Sequence, residues 1–133
     1  MGTAEDHRSN PMKIDVSKFK RNGGRFISIN PVRTGYSAIA DEWVPIKPGT
    51  EGVLALGMAN LLLNKIKVSD AGIPNGVRKL IDEYDITKVA KITGVAGHRI
   101  HRVTQLLTES SPSLVLAGPS VQCHAHNRIG LYQ

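Results

Sequence analysis

Between Glu51 and Ile66 the chain is apolar at nearly every position, broken mainly by Gly57, Asn60, Asn64 and Lys65. A helix with so wide an apolar surface has no broad face left for water and must be packed on most sides. The rest of the chain therefore has to supply elements that surround it. The longest nearly apolar stretch, Val53 to Leu63, is 11 residues interrupted by Gly57 and Asn60, far short of the ~20 that cross a bilayer, so no membrane span is predicted. At 133 residues the chain fits one core, and a second is not expected. Apolar residues make up 41% before the 13 glycines are counted, an ordinary globular composition that excludes disorder throughout. A single cysteine, Cys123, excludes an internal disulfide framework and any CxxC zinc or iron–sulfur cradle built from this chain alone. The opening residues carry acids and no apolar core of a secretory signal, and the compartment stays open.

The formal net charge is +6, spread without a dominant basic block. Residues 1–37 hold seven Lys or Arg against three acids, 38–70 three against four, and 71–133 seven against four. One Trp, three Tyr and two Phe are few for the stacking platforms of single-strand nucleic-acid binders. A positive domain still attracts phosphates in general, nucleotides included.

Pro11 lies in a polar lead into a short helical stretch around Val16, Phe19 and Lys20, stopped by Asn22-Gly23-Gly24. Arg25 to Ile29 reads as a buried strand that Asn30-Pro31 ends, because proline cannot donate to a ladder. A helical turn over Ser37 to Ala40, a second strand over Glu42 to Ile46 and a break at Pro48-Gly49-Thr50 follow. The apolar helix comes next, with Thr50 as its expected cap. Helices are then expected over Val77 to Tyr84, Ile86 to Ile92 and Gly97 to Thr108, and a third strand over Leu114 to Ala117. This order argues for an α/β layered domain, and in such folds ligands gather at the carboxyl ends of strands.

Neither G-x-G-x-x-G nor G-x-x-x-x-G-K-[ST] occurs. Gly94-Val95-Ala96-Gly97 could approach a phosphate, but a plain turn between helices is the simpler account. The exits of the first two strands are more informative. Glu51, near a helix start, can accept two hydrogen bonds from the N1–H and N2–H₂ edge of guanine, with Asn30 and Arg33 available for ribose or phosphate. Spacing alone leaves open that Glu51 merely complements the helix dipole and that Arg33 is a solvated turn residue. Cys123-His124-Ala125-His126 lacks familiar zinc spacing. His98 and His101, flanked by Arg99 and Arg102, read as a wet helix face. No nucleophile, base and orienting acid can be picked out from order in the chain.

Two stretches carry a family resemblance. Phe26-Ile27-Ser28-Ile29-Asn30-Pro31-Val32-Arg33-Thr34-Gly35, then Ala40-Asp41-Glu42-Trp43-Val44-Pro45-Ile46-Lys47-Pro48-Gly49-Thr50-Glu51-Gly52, resemble the molybdopterin oxidoreductases of the dimethyl sulfoxide reductase and formate dehydrogenase type. In that family a strand ends in [DN]-P-x-R-T, and A-D-x-W-x-P-I-[KR]-P-G-T-D-G opens a helix. Val89-Ala90-Lys91-Ile92-Thr93-Gly94-Val95 with Ile100 resembles a further family segment. Gly2-Thr3-Ala4-Glu5 resembles the tail of the W-G-x-N-x-x-E loop, with Met1 in the place of tryptophan.

The resemblance implies an internal piece of a much longer enzyme. Its fold would be a Rossmann-like layered domain with a mostly parallel sheet and flanking helices, with residues 1–133 forming part of a molybdopterin guanine dinucleotide-binding domain. The implied cofactor is molybdenum held by two molybdopterin guanine dinucleotides for two-electron redox or oxygen-atom transfer, with an iron–sulfur cluster outside this segment. Implied partners are the remainder of the parent enzyme and an iron–sulfur electron-transfer subunit, with no specific nucleic acid. By the family pattern Gly2, Thr3 and Glu5 would lie near one dinucleotide, and Asn30, Pro31, Val32, Arg33 and Thr34 near its guanosine and phosphates. Gly49, Thr50 and Glu51 would lie near the guanine, and Gly118 and Gln122 on the pterin side. Glu51 stands where the family has aspartate, one methylene shorter. No residue here matches the family's molybdenum ligand or cluster cysteines, so neither a catalytic residue nor a metal ligand is assigned. Two other readings are a small basic module binding nucleic acid or acidic partners through Lys18, Lys20, Arg21 and Arg25, and a non-catalytic relative that kept the fold.

Overall fold

The computed structural model describes residues 11–33, 35–66, 69, 71–110 and 112–118. Its elements are α1 (Pro11–Arg21), β1 (Ile27–Ile29), α2 (Tyr36–Ile39), β2 (Glu42–Val44), α3 (Glu51–Asn64), α4 (Asn75–Asp82), α5 (Ile86–Thr93) and α6 (Gly97–Glu109). The two strands run parallel, with Ile27 opposite Glu42, Ser28 opposite Trp43 and Ile29 opposite Val44. Parallel neighbours need a crossover of about a dozen residues, and here α2 lies within it. The crossover is fastened at two points. Phe26 donates its amide to the Asp41 carboxylate at 2.8 Å, and the Asp41 amide returns to the Phe26 carbonyl at 2.8 Å. Higher up, the buried hydroxyls of Ser28 on β1 and Ser37 on α2 are 2.7 Å apart.

The apolar helix α3 is central, as its composition requires. Val53, Leu54, Met58 and Leu61 join Ile29, Val44 and Ile46 from the sheet side and Val89, Val95, Ile100 and Val103 from the helices in one buried cluster. Burying a leucine side chain such as Leu54 or Leu61 stabilises by roughly 1.5–3 kcal/mol. The polar interruptions of α3 turn out to be contact points. Gly57 faces the Val89 side chain of α5. Asn60 donates its side-chain amide to the Ile81 carbonyl at 2.9 Å. Asn64 donates to the Asp82 carboxylate at 3.1 Å and accepts from Arg78 at 2.6 Å, so α4 is tied to the last turns of α3. The Asp82 carboxyl is held below the usual carboxylate range, first by the Asn64 hydrogen bond and then by Arg78.

The α5 helix begins on Asp85, whose carboxylate accepts the Lys88 amide at 2.8 Å, an N-cap of the usual kind. It ends on Gly94, whose φ of 75° places it in the left-handed region that favours glycine. On α6, Ile100 and Val103 are buried and Leu107 packs against the cluster, while His98 and His101 are exposed. Arg102 leaves that wet face to pair with Glu42 at the start of β2.

The third expected strand does not form. Residues 114–117 are irregular, and Leu114, Val115 and Leu116 are 80%, 56% and 48% exposed. A strand is stabilised by a ladder partner and a buried face. The described sheet contains β1 and β2 alone, so apolar, β-prone composition was not sufficient here. The parallel sheet with flanking helices agrees with the expected α/β class.

Candidate functional site

Because Ile29 and Val44 are paired in a parallel register, the chain leaves β1 and β2 at the same end of the sheet. The exit from β1 is Asn30, 5% exposed. Its amide donates to the Val44 carbonyl at 3.2 Å, and its own carbonyl accepts the Trp43 indole N–H at 2.9 Å. The Asn30 side-chain oxygen accepts the Val32 amide at 3.4 Å, closing a local Asx turn. Pro31 is half-buried, and Val32 and Arg33 are exposed beyond it.

The exit from β2 reaches the start of α3 through a tight turn. The Thr50 amide donates to the Lys47 carbonyl at 3.3 Å, with Pro48 and Gly49 between them and Gly49 at φ 77°. Proline followed by a positive-φ glycine is the arrangement of a type II turn. Thr50 does not cap α3 as expected: its hydroxyl donates to the Lys47 carbonyl at 2.7 Å and makes no hydrogen bond to a helix amide. Glu51 is the first residue of α3 and is 4% exposed, its negative charge standing at the favourable end of the helix dipole.

This turn is anchored from the far side by α5. The Lys47 amide donates to the Thr93 carbonyl at 2.9 Å, and Lys47 Nζ donates to the Lys91 carbonyl at 3.4 Å. Thr93 is fully buried; its hydroxyl donates to the Val89 carbonyl at 2.8 Å and accepts the Val95 amide at 3.2 Å. Trp43, Lys47 and Thr93 thus support the two exits, although the sequence marks them only as members of similar stretches. An indole N–H in a half-buried position calls for an acceptor, but which carbonyl it finds depends on register.

Of the residues expected at the site, Asn30 and Glu51 are buried on the two exits, Gly49 is buried in the turn, and Pro31, Val32, Arg33 and Thr50 line the same two segments. Gly118 is half-buried at the end of the irregular 112–118 segment. Gly2, Thr3, Glu5, Thr34 and Gln122 lie outside the described residues, as do Cys123, His124 and His126. Among the described residues no group of three His, Cys, Asp or Glu side chains is arranged to hold a metal ion. Lys20, one of the basic residues considered for nucleic acid, is taken up by Asp41 at 2.9 Å and by the Ile39 carbonyl at 2.7 Å.

Comparison with known proteins bears on this arrangement. No family model matches the chain. It is 69% identical over 65 residues, 49% of its length, to a sulfite dehydrogenase subunit of Allochromatium vinosum. It is 35% identical over 94 residues, 71% of its length, to the menaquinone reductase molybdopterin-binding-like subunit of Nitratidesulfovibrio vulgaris. The structure superposes on acetylene hydratase from Pelobacter acetylenicus with a TM-score of 0.75 and 26% identity over 85% of this chain. The chain belongs to the molybdopterin oxidoreductase family. It spans 7% and 14% of the length of the first two relatives and 16% of the third. Within this family member the two similar stretches noted in the sequence fall on β1 with its exit and on β2 with the turn into α3.

Proposed function

We propose that this chain is the guanosine-holding part of a molybdopterin-dependent oxidoreductase, with residues 1–133 belonging to its guanine dinucleotide-binding domain. The observation that carries the reading is Glu51, a carboxylate 4% exposed at the start of α3, just after the turn that leaves β2, whose parallel neighbour β1 runs into the equally buried Asn30. The donor set fits the group. A carboxylate is an acceptor on both oxygens and matches the adjacent N1–H and N2–H₂ donors of guanine, while an asparagine amide can donate and accept toward ribose hydroxyls. Arg33, exposed on the β1 exit, adds a cation within reach of the same loop for a pyrophosphate. When bound, the molybdenum cofactor would supply two-electron redox or oxygen-atom transfer, and these residues would contribute orientation. Parallel strands bring both exits to one end of the sheet, and the turn at Gly49 together with the Thr93 anchor holds the backbone leading into Glu51. The metal's side-chain ligand and the substrate would meet elsewhere in the parent enzyme.

The test is equilibrium dialysis of the chain with guanosine monophosphate (GMP) and inosine monophosphate (IMP), which lacks the N2 amine. GMP should bind more tightly than IMP. Because a hydrogen bond to a charged group contributes about 1.5–3 kcal/mol, Glu51→Gln should weaken GMP by about 10- to 100-fold and narrow the difference between the two nucleotides. Equal binding of GMP and IMP by the unmodified chain would remove Glu51 from the proposed role.

A further inference from the structure

We infer that Trp43 is a positioning residue of the proposed guanosine site, acting through Asn30; this rests on the guanosine reading. Trp43 is the sole tryptophan of the chain and lies on β2 opposite Ser28, yet its indole reaches past the strand. Nε1 donates to the Asn30 carbonyl at 2.9 Å, at the residue where β1 stops and its exit begins. The Asn30 amide is fixed to the Val44 carbonyl at 3.2 Å. Both main-chain polar groups of Asn30 are therefore held by β2, one by ladder geometry and one by a side chain.

Regular pairing ends at Ile29 and Val44, so the Asn30 carbonyl stands where a parallel ladder would next have taken a main-chain donor. The indole N–H takes that place. It stops the peptide between Asn30 and Pro31 from rotating, and thereby sets the direction of the Asn30 side chain and of the segment through Arg33. A half-buried indole N–H calls for an acceptor, and the one that Trp43 finds is the first peptide of that loop. Glu51 has its own anchor through Lys47 and Thr93, at 2.9 Å. The two halves of the site are thus held independently, the base side from α5 and the ribose and phosphate side from Trp43.

The experiment measures GMP and IMP affinity of the 133-residue chain for the unmodified protein, Trp43→Phe and Glu51→Gln. Removing one neutral hydrogen bond should weaken both nucleotides by about 3- to 10-fold in Trp43→Phe. The ratio of GMP to IMP affinity should stay at the unmodified value, because Glu51 is untouched, whereas Glu51→Gln should lower that ratio. If Trp43→Phe does not give the circular dichroism of the unmodified chain, the titration is made with β-(3-benzothienyl)alanine at position 43, which replaces the N–H by sulfur at nearly constant shape. Undiminished GMP binding without the N–H overturns the role of Trp43 and leaves the guanosine reading standing. Collapse of the GMP to IMP ratio in Trp43→Phe also overturns it, since that outcome marks general loosening. Absence of GMP binding by the unmodified chain overturns the guanosine reading, and this inference with it.

Discussion

Gly57 sets the distance between α3 and α5. A β-carbon there would meet the two Val89 methyls at 2.7 and 2.8 Å, closer than packed carbons tolerate, and Val89 is itself fully buried. Two effects oppose each other in Gly57→Ala. Helix propensity favours alanine by about 1 kcal/mol, whereas overpacking a filled core costs about 1–3 kcal/mol. Because Val89 is branched at the contact and enclosed, overpacking should prevail, and Gly57→Ala should lose about 1 kcal/mol in urea unfolding. Val89→Ala alone should also destabilise, by leaving a cavity. Together they should lose less than the sum of the singles, the signature of directly touching sites; strict additivity would show that the helices are not held apart by this pair. The sequence marks Gly57, Asn60 and Asn64 as interruptions of an apolar helix, and that much is legible from composition. Their partners are not, because Val89, Ile81 and Asp82 come from helices whose approach is a tertiary matter. Thr50 shows the converse limit. A threonine before a helix is a sound cap candidate, but its hydroxyl donates to the Lys47 carbonyl instead.

At the scale of elements, the helices were legible where apolar spacing and stop signals agree. Gly94 illustrates why. Its amide closes α5 on the Ala90 carbonyl at 2.9 Å, its φ is positive, and the methylenes of Lys47 lie against it, with Cε 3.3 Å from where a β-carbon would stand. Left-handed backbone costs an ordinary L-residue about 1–2 kcal/mol, and asparagine tolerates it better than alanine. Gly94→Ala should therefore lower stability by about 1–2 kcal/mol and Gly94→Asn by less, an order that thermal unfolding followed by circular dichroism can read. Equal losses for the two would assign the cost to Lys47 crowding instead of backbone conformation. The strand expected at Leu114 to Ala117 marks where element reading stopped. A helix satisfies its own main chain, so sequence periodicity goes far toward specifying it. A strand is completed by a neighbour, and this segment is not part of the described two-stranded sheet. The carboxyl-end exits of β1 and β2 were legible from Asn30-Pro31 and Pro48-Gly49. Their fastening by Trp43 and Thr93 depends on register and was not.

For the molecule as a whole, the sheet is too small to hold itself. Two strands of three residues each give little ladder, and such a pair relies on its surroundings. The core clusters around α3, and the crossover that aligns the strands is closed by Asp41. This residue accepts the Phe26 amide at 2.8 Å and faces Lys20 of α1 at 2.9 Å, so one carboxylate joins α1, the entry to β1 and the entry to β2. The Phe26 hydrogen bond, followed by Lys20, keeps the Asp41 carboxyl below the usual carboxylate range. A group whose folded pKa lies below its unfolded one stabilises the fold fully above the unfolded value, about 3.9 for aspartate, and loses that contribution as pH falls toward the folded value. Acid also raises the net charge above +6 and destabilises through general repulsion, so a simple acid titration would not isolate Asp41. Asp41→Asn separates the two effects, because it keeps an acceptor for the Phe26 amide while removing the charge and the oxygen that faces Lys20. The difference in unfolding free energy between the unmodified chain and Asp41→Asn should be constant from about pH 7 down to about pH 5. It should then shrink as the pH drops below about 4. Urea unfolding of both proteins across that range reads the difference directly, and a gap that persists undiminished at low pH would mean that the Asp41 charge does not hold the crossover.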